Sequence, residues 1–153
     1  MRKPPAPSEQ IIPLTELPVG IDRLCAEALT DGFRFMEKLR NGWRSGANRF
    51  DAPGEIFLGI FRGPDLVAVG GLNIDPYLGD VQIGRLRHLY VAKADRRNGY
   101  ATHLVDELVR NGRATFRRIR LFTDTAGGAA FYEARGFIRV SSPTASHELV
   151  LGP

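Results

Sequence analysis

The segment from Leu89 to Thr102 contains residue types that together can bind an anion, because it joins a predicted strand to a predicted amphipathic helix through a turn rich in arginine and glycine. Backbone N–H groups in the first turn of a helix lack an acceptor one turn earlier, and the helix dipole adds positive potential there. Such a terminus accepts phosphate well. Gly99 allows close approach of the main chain, and Arg96 and Arg97 add charge.

Residue types alone leave three interpretations of this turn open. It is an ordinary strand-to-helix connection with exposed arginines, a nucleotide phosphate loop, or a site for the pyrophosphate of coenzyme A. The nucleotide loop is the weakest of the three, because the turn lacks both the Gly-Lys-Ser/Thr ending of a P-loop and the glycine spacing of a dinucleotide fingerprint.

A second segment with chemical potential is the aromatic run around Tyr132, in a short helix that is predicted to end at Gly136. A phenol has a pKa near 10, so it is protonated at neutral pH and can donate a proton. The alternative is that Tyr132 only packs, with its hydroxyl facing water.

Both segments resemble parts of the GNAT family of N-acetyltransferases. Arg96-x-x-Gly99-x-Ala101 is similar to the family signature Arg/Gln-x-x-Gly-x-Gly/Ala, and it lies between a strand and a helix as in the family. The run from Phe131 to Phe137 is similar to the late helix of the family, Phe/Leu-Tyr-Glu-x-x-Gly-Phe. The resemblance covers about residues 54–140.

The resemblance implies acetyl-CoA as cosubstrate, no metal, and an amine of a small molecule or protein as acceptor, approaching over the first two helices. It implies that Tyr132 protonates the departing CoA sulfur. Main-chain groups of the preceding strand would bind the pantetheine arm, and amides of the turn would bind the pyrophosphate. Thr125 stands where the family often has asparagine. The cofactor residues so implied are Leu89, Tyr90, Val91, Arg96, Arg97, Asn98, Gly99, Tyr100, Ala101, Thr102 and Thr125.

The group that deprotonates the acceptor is not evident. An alkylammonium with a pKa of about 10.4 must lose a proton before it attacks. Many family members use a glutamate on the fourth strand, and by spacing from Gly99 its counterpart here is Arg85. His88 and Asp75 are weak candidates, and a water chain is a further option. Alternation along the strand places His88 opposite Arg87, unless a bulge interrupts it.

Periodicity of apolar residues predicts the order β-α-α-β-β-β-α-β-α-β-β. Hairpins come first and a β-α-β crossover follows, which predicts an α/β (α+β mixed sheet) fold: a mostly antiparallel GNAT-like sheet with helices on both faces. Residues 1–10 are predicted to form a flexible tail and residues 11–153 a single domain. Trp43 and Cys25 are expected in the core.

Charge and composition narrow the class of protein. The 153 residues carry a net charge of +4, and residues 84–120 alone carry +7, which suggests an anionic partner. Cys25 is the only cysteine, which fits a reducing, cytoplasmic setting. No apolar run is long enough for a membrane span, and no nucleic-acid-binding motif is present, so neither a membrane nor a nucleic acid is expected as a partner. The family suggests a homodimer. A non-catalytic acyl-CoA-binding module is the alternative to an enzyme.

Overall fold

A computed structural model of the protein describes residues 9–152, which form one seven-stranded mixed sheet with helices on both faces. The element order is the one that apolar periodicity predicts, with an added 3-10 turn at Lys93–Asp95. The strands are β1 (Glu9–Pro13), β2 (Ile56–Arg62), β3 (Asp65–Ile74), β4 (Ile83–Val91), β5 (Arg118–Leu121), β6 (Ile138–Arg139) and β7 (His147–Val150). The helices are α1 (Ile21–Thr30), α2 (Phe35–Ser45), α3 (Tyr100–Gly112) and α4 (Ala126–Ala134).

Two apolar clusters, one on each face, hold the helices to the sheet. Leu104 and Leu108 of α3 pack on one face with Leu72 of β3. Residues of α1 and α2 pack on the other face with Val69 of the same strand. Trp43 and Cys25 are buried in this second cluster, as expected. The burial of β3 on both faces makes it the centre of the domain.

The sheet order is β1-β2-β3-β4-β5-β7-β6, and β4–β5 is its one parallel pair among the described strands. That pair is short: Ile83–Arg85 match Arg118–Arg120, and pairing ends there. β4 continues for six more residues, whereas β5 ends at Leu121. The two strands therefore form a fork, and the second half of β4 has no strand on its β5 side.

A β-bulge interrupts β4 beside this fork. Val69 pairs with Tyr90 and Gly71 with Arg87, so β4 carries one more residue than β3 across the interval. His88 lies in the left-handed region at φ 61°. The ring of His88 contacts Phe50 on the face of the sheet that packs against α1 and α2. A Cβ built on Gly71 would point to the same face. Because Gly71 pairs with Arg87, the side chain of Arg87 lies on that face too. The bulge thus interrupts the alternation of side chains between the two faces of β4, and it brings His88 and Arg87 to one face.

Element boundaries differ from expectation in two places. β1 begins at Glu9, so the predicted tail of residues 1–10 overlaps the first strand by two residues, and residues 1–8 lie outside the described part. Gly112 is the last residue of α3 and not the residue after it. A Cβ there would come 3.0 Å from Leu72, so this glycine lets the helix end lie close to the sheet.

Candidate active site

The fork between β4 and β5 opens into a groove of about 730 Å³, which is in the range of small-molecule sites. One wall is the second half of β4 and the start of α3, and the other is the segment from β5 into α4. Aromatic rings stand at several points along it. The lining residues are Phe33, Phe35, Leu89, Tyr90, Val91, Asp95, Arg96, Arg97, Gly99, Tyr100, Ala101, Thr102, Phe122, Thr123, Asp124, Thr125, Gly127, Gly128, Phe131 and Tyr132.

The β4 wall offers main-chain groups. Leu89, Tyr90 and Val91 line the groove, and the pairing of β4 with β5 ends at Arg85. A free strand edge can form main-chain hydrogen bonds to an extended ligand that contains amides. The structure therefore places these three residues on the wall of the groove, and their contact with a cofactor stays a prediction.

The far end of the groove is the N-terminus of α3. Gly99 is its N-cap, with φ 79° and ψ 13°, and Arg97 also has a positive φ of 68°. The Gly99 carbonyl accepts the first helical bond, from His103. Within residues 9–152, no hydrogen bond is donated by the amides of Gly99, Ala101 or Thr102. These amides and the helix dipole form a site for an anionic group.

The side chains of the turn have different roles. Arg96 lies with its Nε 3.1 Å from the Val91 carbonyl oxygen and its guanidinium 5.5 Å from the centre of the Tyr90 ring, so it is partly fixed beside the groove. Arg97 is exposed and lines the groove. Asn98 is outside the groove lining, and its Nδ2 donates to the Asp95 carbonyl oxygen at 2.9 Å, so its role as a cofactor residue depends on its main-chain amide and stays a prediction. Its side chain therefore stabilises the turn.

Tyr132 lies on the opposite wall, on α4. Its ring packs at 5.1 Å from Phe131 and 5.6 Å from Phe137, measured between ring centres. Burial raises the pKa of the Tyr132 phenol above its ordinary value, so the hydroxyl is protonated throughout the neutral range. Among the described residues, no hydrogen bond occupies this hydroxyl. It is therefore available to a ligand in the groove.

α4 is held in place at both ends. Thr125 is its N-cap, and the Thr125 hydroxyl oxygen accepts from the Gly128 amide at 3.0 Å. The oxygen predicted to contact the cofactor thus has a structural role, although its hydrogen is still available for donation. At the other end, Glu133 Oε2 lies 2.8 Å from Nε2 of the buried His147. These contacts fix the helix that carries Tyr132.

None of the three positions considered for a base fits that role. Arg85 is buried and donates to Asp75 at 3.2 Å and to the Thr144 carbonyl at 2.8 Å. Asp75 is 1% exposed and accepts from Arg85, Arg120 and two backbone amides. Burial and the nearby charge of Arg87 lower the pKa of His88 to about 3. A histidine with that pKa is a poor proton acceptor.

Sequence reasoning missed part of the aromatic lining. Phe33 and Phe35 reach the groove from the start of α2, and Phe122 reaches it from the end of β5. In the structure, 40% of Phe33 and 58% of Phe122 are exposed, which is unusual for large apolar side chains. The sequence carries no comparable signal beyond the presence of these phenylalanines next to predicted element ends. Their convergence depends on how the helices pack on the sheet, which a local pattern does not reveal.

No group of three potential metal ligands exists among residues 9–152, and no helix in that range is long and apolar enough to cross a membrane. The groove fits coenzyme A on other grounds. It combines a free strand edge for an amide-containing arm, unpaired amides for a diphosphate, and apolar walls.

Comparison with known proteins agrees with this geometry. A structure of an acetyltransferase from Exiguobacterium sp. 255-15 aligns with a TM-score of 0.83 and 25% identity over 93% of each chain. A GNAT-family acetyltransferase from Desulfovibrio desulfuricans aligns with a TM-score of 0.76 and 17% identity, over 94% of this chain and 99% of that one. The N-acetyltransferase YhbS from Escherichia coli, in complex with CoA, aligns with a TM-score of 0.69 and 17% identity, over 99% of this chain and 86% of that one.

The family comparison is more direct. No curated protein sequence gives a match. The model of the acetyltransferase (GNAT) family, however, matches residues 23–137, which is well over half of the chain. The match spans the fork, the N-terminus of α3 and Tyr132. The chain therefore belongs to the GNAT acetyltransferase family.

Proposed function

We propose that the protein transfers the acetyl group of acetyl-CoA to a primary amine, with both substrates bound at once. The observation that carries the proposal is the convergence on one groove of a free strand edge, unpaired helix amides and a protonated phenol. A structural relative, the E. coli protein, has CoA bound, which supports the same ligand class here.

The chain would bind the cosubstrate mainly through its backbone. Main-chain groups of Leu89–Val91 would pair with the pantetheine amides, and the first-turn amides of α3 would bind the pyrophosphate. Arg97, exposed at this end, adds attraction for phosphate. Thr125 can donate its hydroxyl hydrogen from the opposite wall.

Acetyl-CoA supplies an acetyl group activated as a thioester. The neutral amine nitrogen forms a bond to the thioester carbon, the carbon–sulfur bond breaks, and the sulfur leaves with the electron pair. The nitrogen releases one proton to solvent as the amide forms. Tyr132 can donate its proton or a hydrogen bond to that sulfur. The bulge leaves His88 and Leu89 without partners in β3, so main-chain donors near the carbonyl oxygen can stabilise its growing negative charge.

Two measurements test this function. Calorimetry should show CoA binding, and a thiol assay should show CoA release from acetyl-CoA in the presence of amines. Tyr132→Phe should lower kcat by about 10²- to 10⁴-fold, the usual contribution of a general acid, without weakening CoA binding. A kcat within about twofold of the wild type would remove the acid role from Tyr132.

A non-catalytic acyl-CoA-binding module is the second candidate. It is favoured by one observation: Arg85 occupies the position of the usual glutamate and is bound to Asp75. CoA binding without CoA release, across amines of different charge and size, would support this candidate over the enzyme.

A further inference from the structure

Arg87 is a half-buried cation on the α1–α2 face of β4. It lies two residues before Leu89, which is roughly 7 Å along a strand. The groove extends to this same face, where Phe33 and Phe35 form its wall. Arg87 is outside the groove lining, but it lies on the strand that forms one wall of the groove and on the α1–α2 face, from which the acceptor is expected to approach.

The guanidinium of Arg87 has no protein anion to balance it. In the described part of the chain, no carboxylate lies within 4.0 Å of its nitrogens and no hydrogen bond involves them. Burial, and then the neighbouring charge of Arg85, lower the pKa of Arg87. A charged group that is partly removed from water without a partner is unfavourable, and an anionic ligand would relieve that cost.

The nearby carboxylates are engaged elsewhere. Asp75 accepts from Arg85 and Arg120. Glu55 accepts from the Asn73 side chain and the Ile74 amide through Oε2, and from the Ala52 amide through Oε1. Their charges reach Arg87 only at a distance, and they rank below burial and Arg85 among the causes of its pKa shift. Arg87 is thus a cation on this face of the sheet for which residues 9–152 supply no carboxylate in contact.

We propose that Arg87 binds an acidic group on the acceptor, so that the protein acetylates small amines that also carry a carboxylate or a phosphate. This proposal rests on the proposed acetyltransferase function and specifies its substrate class. Arginine suits the role because its planar, forked donors match both oxyanions. The chemistry recognised is the oxyanion, and the assay distinguishes its two forms.

The test compares three amines of similar length in the CoA-release assay: propylamine, β-alanine and O-phosphoethanolamine. The wild type should prefer at least one acidic amine over propylamine by about tenfold or more in kcat/KM, as expected for a charge-assisted, bidentate contact. The better of the two acids identifies carboxylate or phosphate as the preferred group. Arg87→Ala should lower this preference at least tenfold.

Two further variants control for other effects. Arg113→Ala removes an exposed arginine at the distant end of α3 and should retain the wild-type preference. Arg87→Gln removes the charge while keeping most of the volume, so it tests the proposal even if the alanine variant folds poorly. A KM for β-alanine that rises in Arg87→Gln, with CoA affinity unchanged by calorimetry, would separate substrate binding from a structural effect.

Failure of the proposal can be told apart from failure of the function. If propylamine is acetylated as well as both acidic amines, the substrate class is wrong and the acetyltransferase stands. If Arg87→Gln keeps the preference for an acidic amine, Arg87 is not the residue that binds the acidic group, and the proposal is overturned while the acetyltransferase again stands. If CoA binds but no amine causes CoA release, the enzymatic function is wrong and the substrate class falls with it.

Discussion

Replacing Gly99 with valine should weaken CoA binding far more than it weakens folding. Gly99 occupies the left-handed region at φ 79° as the N-cap of α3. A residue with a Cβ in this region costs about 1–2 kcal/mol, and a β-branched residue is a true outlier there. The valine variant would relax by turning the main chain, which reorients the amides that face the groove.

The size of the effect follows from the bonds that depend on this geometry. Hydrogen bonds to a charged group contribute about 1.5–3 kcal/mol each. Loss of one such bond to the pyrophosphate would raise the Kd for CoA by about 10- to 100-fold, since 1.4 kcal/mol corresponds to a factor of ten. Loss of two would make binding undetectable at ordinary protein concentrations.

The matched control is Gly79→Val, in the loop between β3 and β4. Gly79 also has a positive φ, 63°, and a Cβ built on it meets no atom within 4 Å. It carries a similar backbone strain at the opposite end of β4 from the N-terminus of α3. Urea unfolding measures the stability of both variants, and isothermal titration calorimetry measures their affinity for CoA.

Comparable losses of stability are expected in the two variants, with loss of CoA affinity only in Gly99→Val. Wild-type affinity in Gly99→Val would show that the α3 amides do not bind the pyrophosphate, which would refute the placement of the cofactor. Equal losses of affinity in both variants would mean that general strain, and not local geometry, weakens binding.

Two further predictions concern α4. Thr125→Ala should lower the free energy of unfolding by about 1 kcal/mol, because it removes the N-cap bond to the Gly128 amide. The control is Thr30→Ala, which removes a hydroxyl that donates to a carbonyl within α1. This variant should change the free energy of unfolding little, as measured by urea unfolding. Glu133→Gln should reduce the stability at pH 7, because the hydrogen bond from His147 holds the pKa of the Glu133 carboxyl below its ordinary value of 4.5. A lowered folded-state pKa stabilises the fold above the unfolded-state pKa, so the difference in stability between variant and wild type should shrink as the pH falls from about 4.5 through the lower folded-state pKa of Glu133. A difference that does not change with pH would contradict this.

The sequence predicted the element order because each element has a clear apolar period. α3 is the best example: Leu104, Val105 and Leu108 recur on one stripe and are fully buried. The turn before α3 was also predictable, since it depends on a local event, a glycine before a helix. Both features follow from neighbours along the chain, whereas the binding of an anion at this turn stays a prediction.

The bulge, the role of Asp75 and the aromatic wall were not predictable, because they depend on contacts between residues that are far apart in the sequence. One extra residue in β4 brings His88 to the face that alternation assigned to Arg87, and nothing in the strand's composition indicates the bulge. The role of Asp75 depends on Arg120, which is 45 residues away. The aromatic wall depends on Phe33 and Phe122, which come to line one groove only after the helices have packed on the sheet.

Arg85 takes part in a cluster of charged side chains at the point where β4 and β5 diverge. Arg85 and Arg120 form the last paired rung between β4 and β5, and like charges at that position repel. Asp75 lies between them, 3.2 Å from one guanidinium and 3.4 Å from the other, and offsets this repulsion at the point where the strands diverge. Arg85, whose spacing from Gly99 resembles that of the glutamate in many family members, is thus part of an ionic clamp at the origin of the groove. Loss of Asp75 would leave the two guanidinium groups without the carboxylate that lies between them, so it should open the clamp and displace both cations.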